Sequence, residues 1–259
     1  MPLLGFGVFQ NFTTQSTVLE AFKAGYRHVD SAQAYRNEVG VGEAVRESGI
    51  DRADIFITTK CVSKNHGYSR TLRGVDESLE KFGLDYIDLF LIHDPMSGTE
   101  RRLETYKALQ DCRKAGKIRT VGVSNYGVKH LEEIKTAGHE MPSVNQIELH
   151  PLCQQRAIVS YCMQNSIVIQ AYCPIIRGKM DHPVILEVAK KHNRDPAQVL
   201  LRWSLQKGFV PLPKSTTPER IHSNAHLYDF SLDTDDMIKL DGLDKGKEGA
   251  ISWNPVDFP

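Results

Sequence analysis

One pattern constrains this chain more than any other: short apolar runs alternate with amphipathic helical patterns, and the alternation repeats along almost the whole sequence. Strands are expected at Leu4 to Phe9, Arg27 to Asp30, Ile55 to Lys60, Ile87 to His93, Thr120 to Ser124, Val144 to Leu149, Ile167 to Tyr172 and Phe209 to Pro213. Helices are expected at Thr14 to Ala24, Glu38 to Glu47, Ser69 to Phe82, Glu100 to Lys114, Val128 to Ala137, Gln154 to Asn165, Pro183 to His192 with Pro196 to Gln206, and Pro218 to about His226. In Ser69 to Phe82 the residues Leu72, Val75, Leu79 and Phe82 make one apolar stripe, which leaves Arg73, Asp76, Glu77 and Glu80 for solvent. Asp195-Pro196 and Thr217-Pro218 each place an N-cap before a proline at the first helical position.

A strand that returns through a helix implies a parallel neighbour. Eight such units in 259 residues fit a single-domain (β/α)8 TIM barrel better than an open doubly wound sheet. The open alternative also lacks its glycine fingerprint, since Gly40-Val41-Gly42 runs on to Val45 and Gly5-Phe6-Gly7 to Gln10. The eighth strand is the weakest, because Pro211 and Pro213 each remove a ladder donor. No linker divides the chain, so residues 1–259 read as one barrel domain with a C-terminal tail from about Ser231. In a closed barrel the site forms at the carboxyl ends of the strands.

Composition serves mainly to exclude. Lys+Arg and Asp+Glu both number 32, and this zero balance argues against nucleic acid as a partner. No apolar run approaches the ~20 residues of a membrane span, and the amino terminus lacks the basic and apolar regions of a signal peptide. Five cysteines with no Cys-x-x-Cys indicate neither a disulfide framework nor a zinc knuckle. A cytoplasmic monomer that binds no metal is expected. His222 and His226 stand at i, i+4 without a third ligand, as on a surface helix.

The strand ends carry the chemistry. Asp30, Lys60 and His93 close the second, third and fourth strands, and Tyr35 follows Asp30 by five residues. A free phenol titrates near ~10, and a neighbouring ammonium is expected to lower that value, with a carboxylate holding the ammonium in place. Tyr35, Lys60 and Asp30 suit those roles, while His93 could orient a carbonyl oxygen. The set fits carbonyl reduction, and since no side chain supplies a hydride, a nicotinamide is implied. Tyr172 offers an aromatic face to it, and Ser124, Asn125 and Gln146 offer hydrogen bonds to a carboxamide. Lys214, Ser215, Arg220 and Asn224, around a helix start, make a phosphate site. Phe9 and Asp94, with His93, are the expected substrate contacts.

The sequence resembles the aldo-keto reductases over nearly its whole length. The resemblance rests on Leu4-Gly5-Phe6-Gly7, Gly25 to Ala32 with Tyr35 and Asn37-Glu38, Leu84 to Leu89 with His93, and Gly116-Lys117-Ile118-Arg119. It continues through Gly122-Val123-Ser124-Asn125, Asn145 to Pro151, and Pro213-Lys214-Ser215 with Arg220-Ile221 and Asn224. It implies NADPH bound across the barrel rim, and Tyr35 as proton donor assisted by Lys60, Asp30 and His93. It also implies that Lys214 and Arg220 contact the 2′-phosphate. The chain departs from the family pattern at Asp94, where tryptophan is common, at Cys173, where serine is usual, and at Ser223, where an acidic residue often stands. It also starts almost at the first barrel strand, without the usual β-hairpin cap. A small carbonyl compound is the expected substrate; the alternative is a redox-sensing or interaction protein of the same fold that binds cofactor as a signal.

Overall fold

A computed structural model describes all 259 residues. Eight strands form one sheet in sequence order, every neighbouring pair parallel: β1 (Phe6–Gly7), β2 (His28–Asp30), β3 (Phe56–Cys61), β4 (Ile87–Ile92), β5 (Ile118–Ser124), β6 (Val144–Glu148), β7 (Val168–Tyr172) and β8 (Val210–Pro211). The sheet closes on itself, because the amides of Gly5 and Gly7 donate to the carbonyls of Pro211 and Pro213 at 3.1 and 2.9 Å. Proline accepts but cannot donate, so the seam is bonded from the β1 side at these two pairs. The short β8 is the strand that its prolines foretold.

The crossover helices are α1 (Thr14–Lys23), α2 (Glu38–Glu47), α3 (Tyr68–Phe82), α4 (Thr99–Lys114), α5 (Val128–Thr136), α6 (Arg156–Gln164), α7 (Pro183–His192), α8 (Pro196–Gln206) and α9 (Pro218–Ser223). Where the expected tail lies, the chain forms α10 (Thr234–Asp241), started by a capping box in which Asp233 accepts from the Asp236 amide at 3.0 Å. It is tied to α7 by Lys191 and His192, which both donate to Asp236, at 2.8 and 2.7 Å. None of the helices is long and apolar enough to cross a membrane.

Strand alternation divides the interior in two. On β4, Phe90 and Ile92 join the large cluster between sheet and helices, which also holds Val75, Phe82, Tyr106 and Trp203. Leu89 and Leu91 face the other way, into the barrel, with Val144 and Phe56. Register places Lys60 beside Leu91, Thr58 beside Leu89 and Asp30 beside Thr58. Asp30 and Lys60 therefore point into the barrel, at its carboxyl end.

Candidate active site

Each group at this end is held by its own element and by a brace. Tyr35 closes a single 3-10 turn, Gln33–Tyr35, and the chain leaves through Arg36 at φ 58°. The turn cannot drift, because Gln33 is tied at both ends of its amide. Its oxygen accepts from the Val62 amide at 3.1 Å and from Asn65 at 2.9 Å, and its nitrogen donates to the Gly74 carbonyl at 2.8 Å. No motif in the sequence marks Gln33. Ser31 donates to Asn37, which donates to the Val8 carbonyl at 2.8 Å, so the loops after β1 and β2 are joined.

Lys60, wholly buried, directs its ammonium at three oxygens: Asp30 at 2.5 Å, the Ser31 carbonyl at 2.8 Å and the Tyr35 hydroxyl at 3.5 Å. The second oxygen of Asp30 accepts from Gln146 at 2.8 Å, whose nitrogen also donates to Gln170. The proximity of Tyr35, Lys60 and Asp30 expected from the strand ends is thus present. The expected fall in the Tyr35 pKa is not. Burial first, and the Asp30 carboxylate next, hold the phenol well above its ordinary value. Burial also lowers Lys60, with Asp30 opposing it. The lysine contact to the phenol is long, and desolvation outweighs it. Tyr35 keeps its proton, and no acceptor within the chain takes it.

His93 packs edge-on against Tyr35, with ring centroids 5.7 Å apart. Burial first, then Lys60 and His66, lowers its pKa to about 3, so the imidazole is neutral at physiological pH. Neither ring nitrogen has a partner in the chain, which leaves one N–H to donate. Phe9 lies against Tyr35 at 5.0 Å and Trp253 against His93 at 6.3 Å, so four rings form a row. Trp253 comes from the C-terminal segment, and no periodicity in the sequence points to it. Asp94 requires a correction. It is 2% exposed, and its oxygens accept from Ser63 at 2.5 Å and from the Met96 amide at 2.9 Å, so it braces two rim loops and offers no surface to a substrate.

The residues expected at the nicotinamide lie at the ends of the later strands. Ser124 and Gln146 are register partners on β5 and β6, and Asn125 follows at φ 61°. Ser124 donates to the Gln146 carbonyl at 2.8 Å, and Asn125 donates to the His93 carbonyl at 3.0 Å while accepting from Tyr172 at 2.8 Å. These contacts set the rim's shape and leave the side-chain oxygen of Gln146 as the open acceptor. Beyond β8, Lys214 is half-buried and Arg220 exposed, and neither has an acidic partner. Asn224 is 4% exposed, and its side chain has no hydrogen bond within the chain. Ser215 accepts from the Thr217 amide at 3.1 Å. His222 is paired with Glu20 of α1 at 2.7 Å. Unpaired cations, an unpartnered amide and an open acceptor on β6 fit a phosphorylated nicotinamide dinucleotide, which those residues would hold.

A barrel whose carboxyl end gathers a phenol, an ammonium, a carboxylate and a neutral imidazole is of the class that suits carbonyl reduction with a nicotinamide. The profile of the aldo/keto reductase family matches residues 4–245. The chain is 44% identical over 263 residues to the glyoxal reductase of Bacillus subtilis (strain 168), covering 100% of this chain and 94% of that one. Among solved structures it superimposes on the Bombyx mori aldo-keto reductase in complex with NADP with a TM-score of 0.91 at 31% identity, covering 100% of this chain and 94% of the other. A variant of Gox0644 in complex with NADPH gives a TM-score of 0.92 at 39% identity, covering 98% and 93%. The chain belongs to the aldo/keto reductase family.

Proposed function

We propose that this chain reduces a small aldehyde or ketone with Tyr35 as the proton donor, His93 as the group that orients the carbonyl oxygen, and Lys60 with Asp30 as the pair that fixes the phenol. NADPH-dependent reduction of carbonyl compounds is the activity of the chain; the assignment of roles is what the proposal adds. The observation that carries it is the environment of the Tyr35 hydroxyl. Its one neighbour in the chain, the Lys60 ammonium, is a donor, so the phenolic proton is directed outward to a ligand. His93 stays neutral and has an N–H to donate to the carbonyl oxygen of the substrate. NADPH supplies the hydride when bound, and Tyr35 then loses its proton to the oxygen. The phenolate left behind forms beside the Lys60 ammonium, which stabilises it. The raised phenol pKa keeps the donor protonated before reaction.

Ser124, Asn125, Gln146 and Tyr172 are assigned to the nicotinamide end, and Lys214, Ser215, Arg220 and Asn224 to the phosphate end. Phe9 and His93 face the substrate. Residues 1–259 work as one barrel domain, including the segment from about 231, in a cytoplasmic monomer. Five free cysteines, four of them buried, support the cytoplasmic setting. The intact proton-transfer set speaks against the redox-sensing alternative. Tyr35→Phe tests the reading: steady-state carbonyl reduction should fall by roughly 100-fold or more, while NADPH affinity, measured by fluorescence titration, stays the same. Turnover at the parental rate would remove Tyr35 from its role.

A further inference from the structure

We propose that Glu148 is a positioning residue that sets Trp253 against the reacting end of the pocket and thereby selects flat, aromatic carbonyl substrates; this rests on the reading of Tyr35 and His93 given above. Glu148 ends β6 and is wholly buried. One oxygen accepts from the Ile251 amide at 2.6 Å and faces His150 Nε2 at 3.0 Å, and the other accepts from the Ser252 amide at 3.0 Å. A buried carboxylate is tolerated only with its oxygens hydrogen-bonded, and here the donors are main-chain groups of the two residues immediately before Trp253. The indole is half-exposed, so its place is set more by this main-chain grip than by its own packing. Backbone approaches flank the grip on both sides. A side chain at Gly249 would overlap the Leu152 carbonyl, and one at Gly127 would overlap the Val256 carbonyl. His130 holds the segment further on: it accepts from the Gly127 amide through Nδ1, so its Nε2 donates to the Phe258 carbonyl at 2.7 Å. With Trp253 held there, the row Phe9, Tyr35, His93 and Trp253 offers ring faces and edges that an aromatic aldehyde can pack on and a short aliphatic one cannot span.

The test uses the full chain with Glu148→Ala, Glu148→Gln, Trp253→Ala and the Glu148→Ala/Trp253→Ala double variant, with benzaldehyde and propanal as substrates. Glu148→Ala should raise KM for benzaldehyde roughly tenfold with kcat within about twofold, and change KM for propanal far less. The double variant should be no worse with benzaldehyde than Trp253→Ala alone, because both changes remove one interaction. Acrylamide quenching follows the same event without turnover. Trp203 is wholly buried, so quenching reports Trp253, and it should increase in Glu148→Ala. Should Glu148→Ala fail to fold, Glu148→Gln, which keeps one acceptor oxygen, should give a smaller shift of both readouts in the same direction. Additive losses in the double variant, or equal losses for both aldehydes with unaltered quenching, would overturn the proposal. Because quenching needs no chemistry, a failed Tyr35 assignment leaves that arm readable.

Discussion

At the ends of β2 and β3 the charged groups are spent on one another, whereas beyond β8 they are held open. Lys60 gives its ammonium to Asp30, the Ser31 carbonyl and Tyr35, and Asp30 gives its second oxygen to Gln146. Lys214 and Arg220 face no carboxylate, and the Asn224 amide is nearly buried without a partner. Both regions are polar and both sit on the same rim. The difference is when their electrostatics are completed. The proton-transfer side is finished by folding, which fixes its geometry before any ligand arrives. The proposed phosphate side would be completed only by an anion, so its unpaired charge would be a reserve of binding free energy.

The comparison breaks most visibly at Lys60. Lys60→Met leaves the buried Asp30 carboxylate without its cation, and roughly 3–5 kcal/mol of unfolding free energy should be lost in urea titrations of the ligand-free protein. Parental stability in that variant would mean that the pair is not completed by folding. Lys214→Ala and Arg220→Ala should behave in the opposite way. Ligand-free stability should stay within about 0.5 kcal/mol, while NADPH binding weakens by about 1.5–3 kcal/mol per lost charged contact and NADH binding is far less affected. Equal losses for the two cofactors would detach these residues from the 2′-phosphate. The last expected effect is that of pH. An unfolded histidine takes its proton near ~6.5, whereas folded His93 does so only at about 3. Between those values the unfolded chain binds more protons, so stability falls as pH drops through the window. His28, also lowered to about 3 by burial, adds in the same direction. An NMR titration of the His93 ring that showed an inflection near neutrality would contradict the neutral donor.

What the sequence made legible was whatever depends on strand ends. Parallel βα topology puts Asp30, Lys60 and His93 on one rim whatever the packing, and α2, α7 and α8 begin and end where their apolar periodicity does. What depends on burial was hidden. The Tyr35 pKa was expected to fall beside an ammonium, but the desolvation that raises it exists only once the loops close over the phenol. Asp94 reads as a pocket residue by position, yet Ser63 and the Met96 amide turn it into a loop brace. The helix α10 is short, and its Asp233 to Asp236 capping box is lost among other acidic residues. Trp253 reaches the site through contacts with residues more than 100 positions earlier in the chain.

The seam between β1 and β8 carries a consequence for mechanical coupling. The Gly7 amide bonds to the Pro213 carbonyl. Phe9, which packs against Tyr35, follows two residues after that glycine, and Lys214 is the next residue after that proline. The proposed substrate-side ring and the proposed phosphate cation therefore lie within two residues of one shared hydrogen bond. The joint where the first and last strands of the barrel meet thus sets the spacing between the two proposed sites.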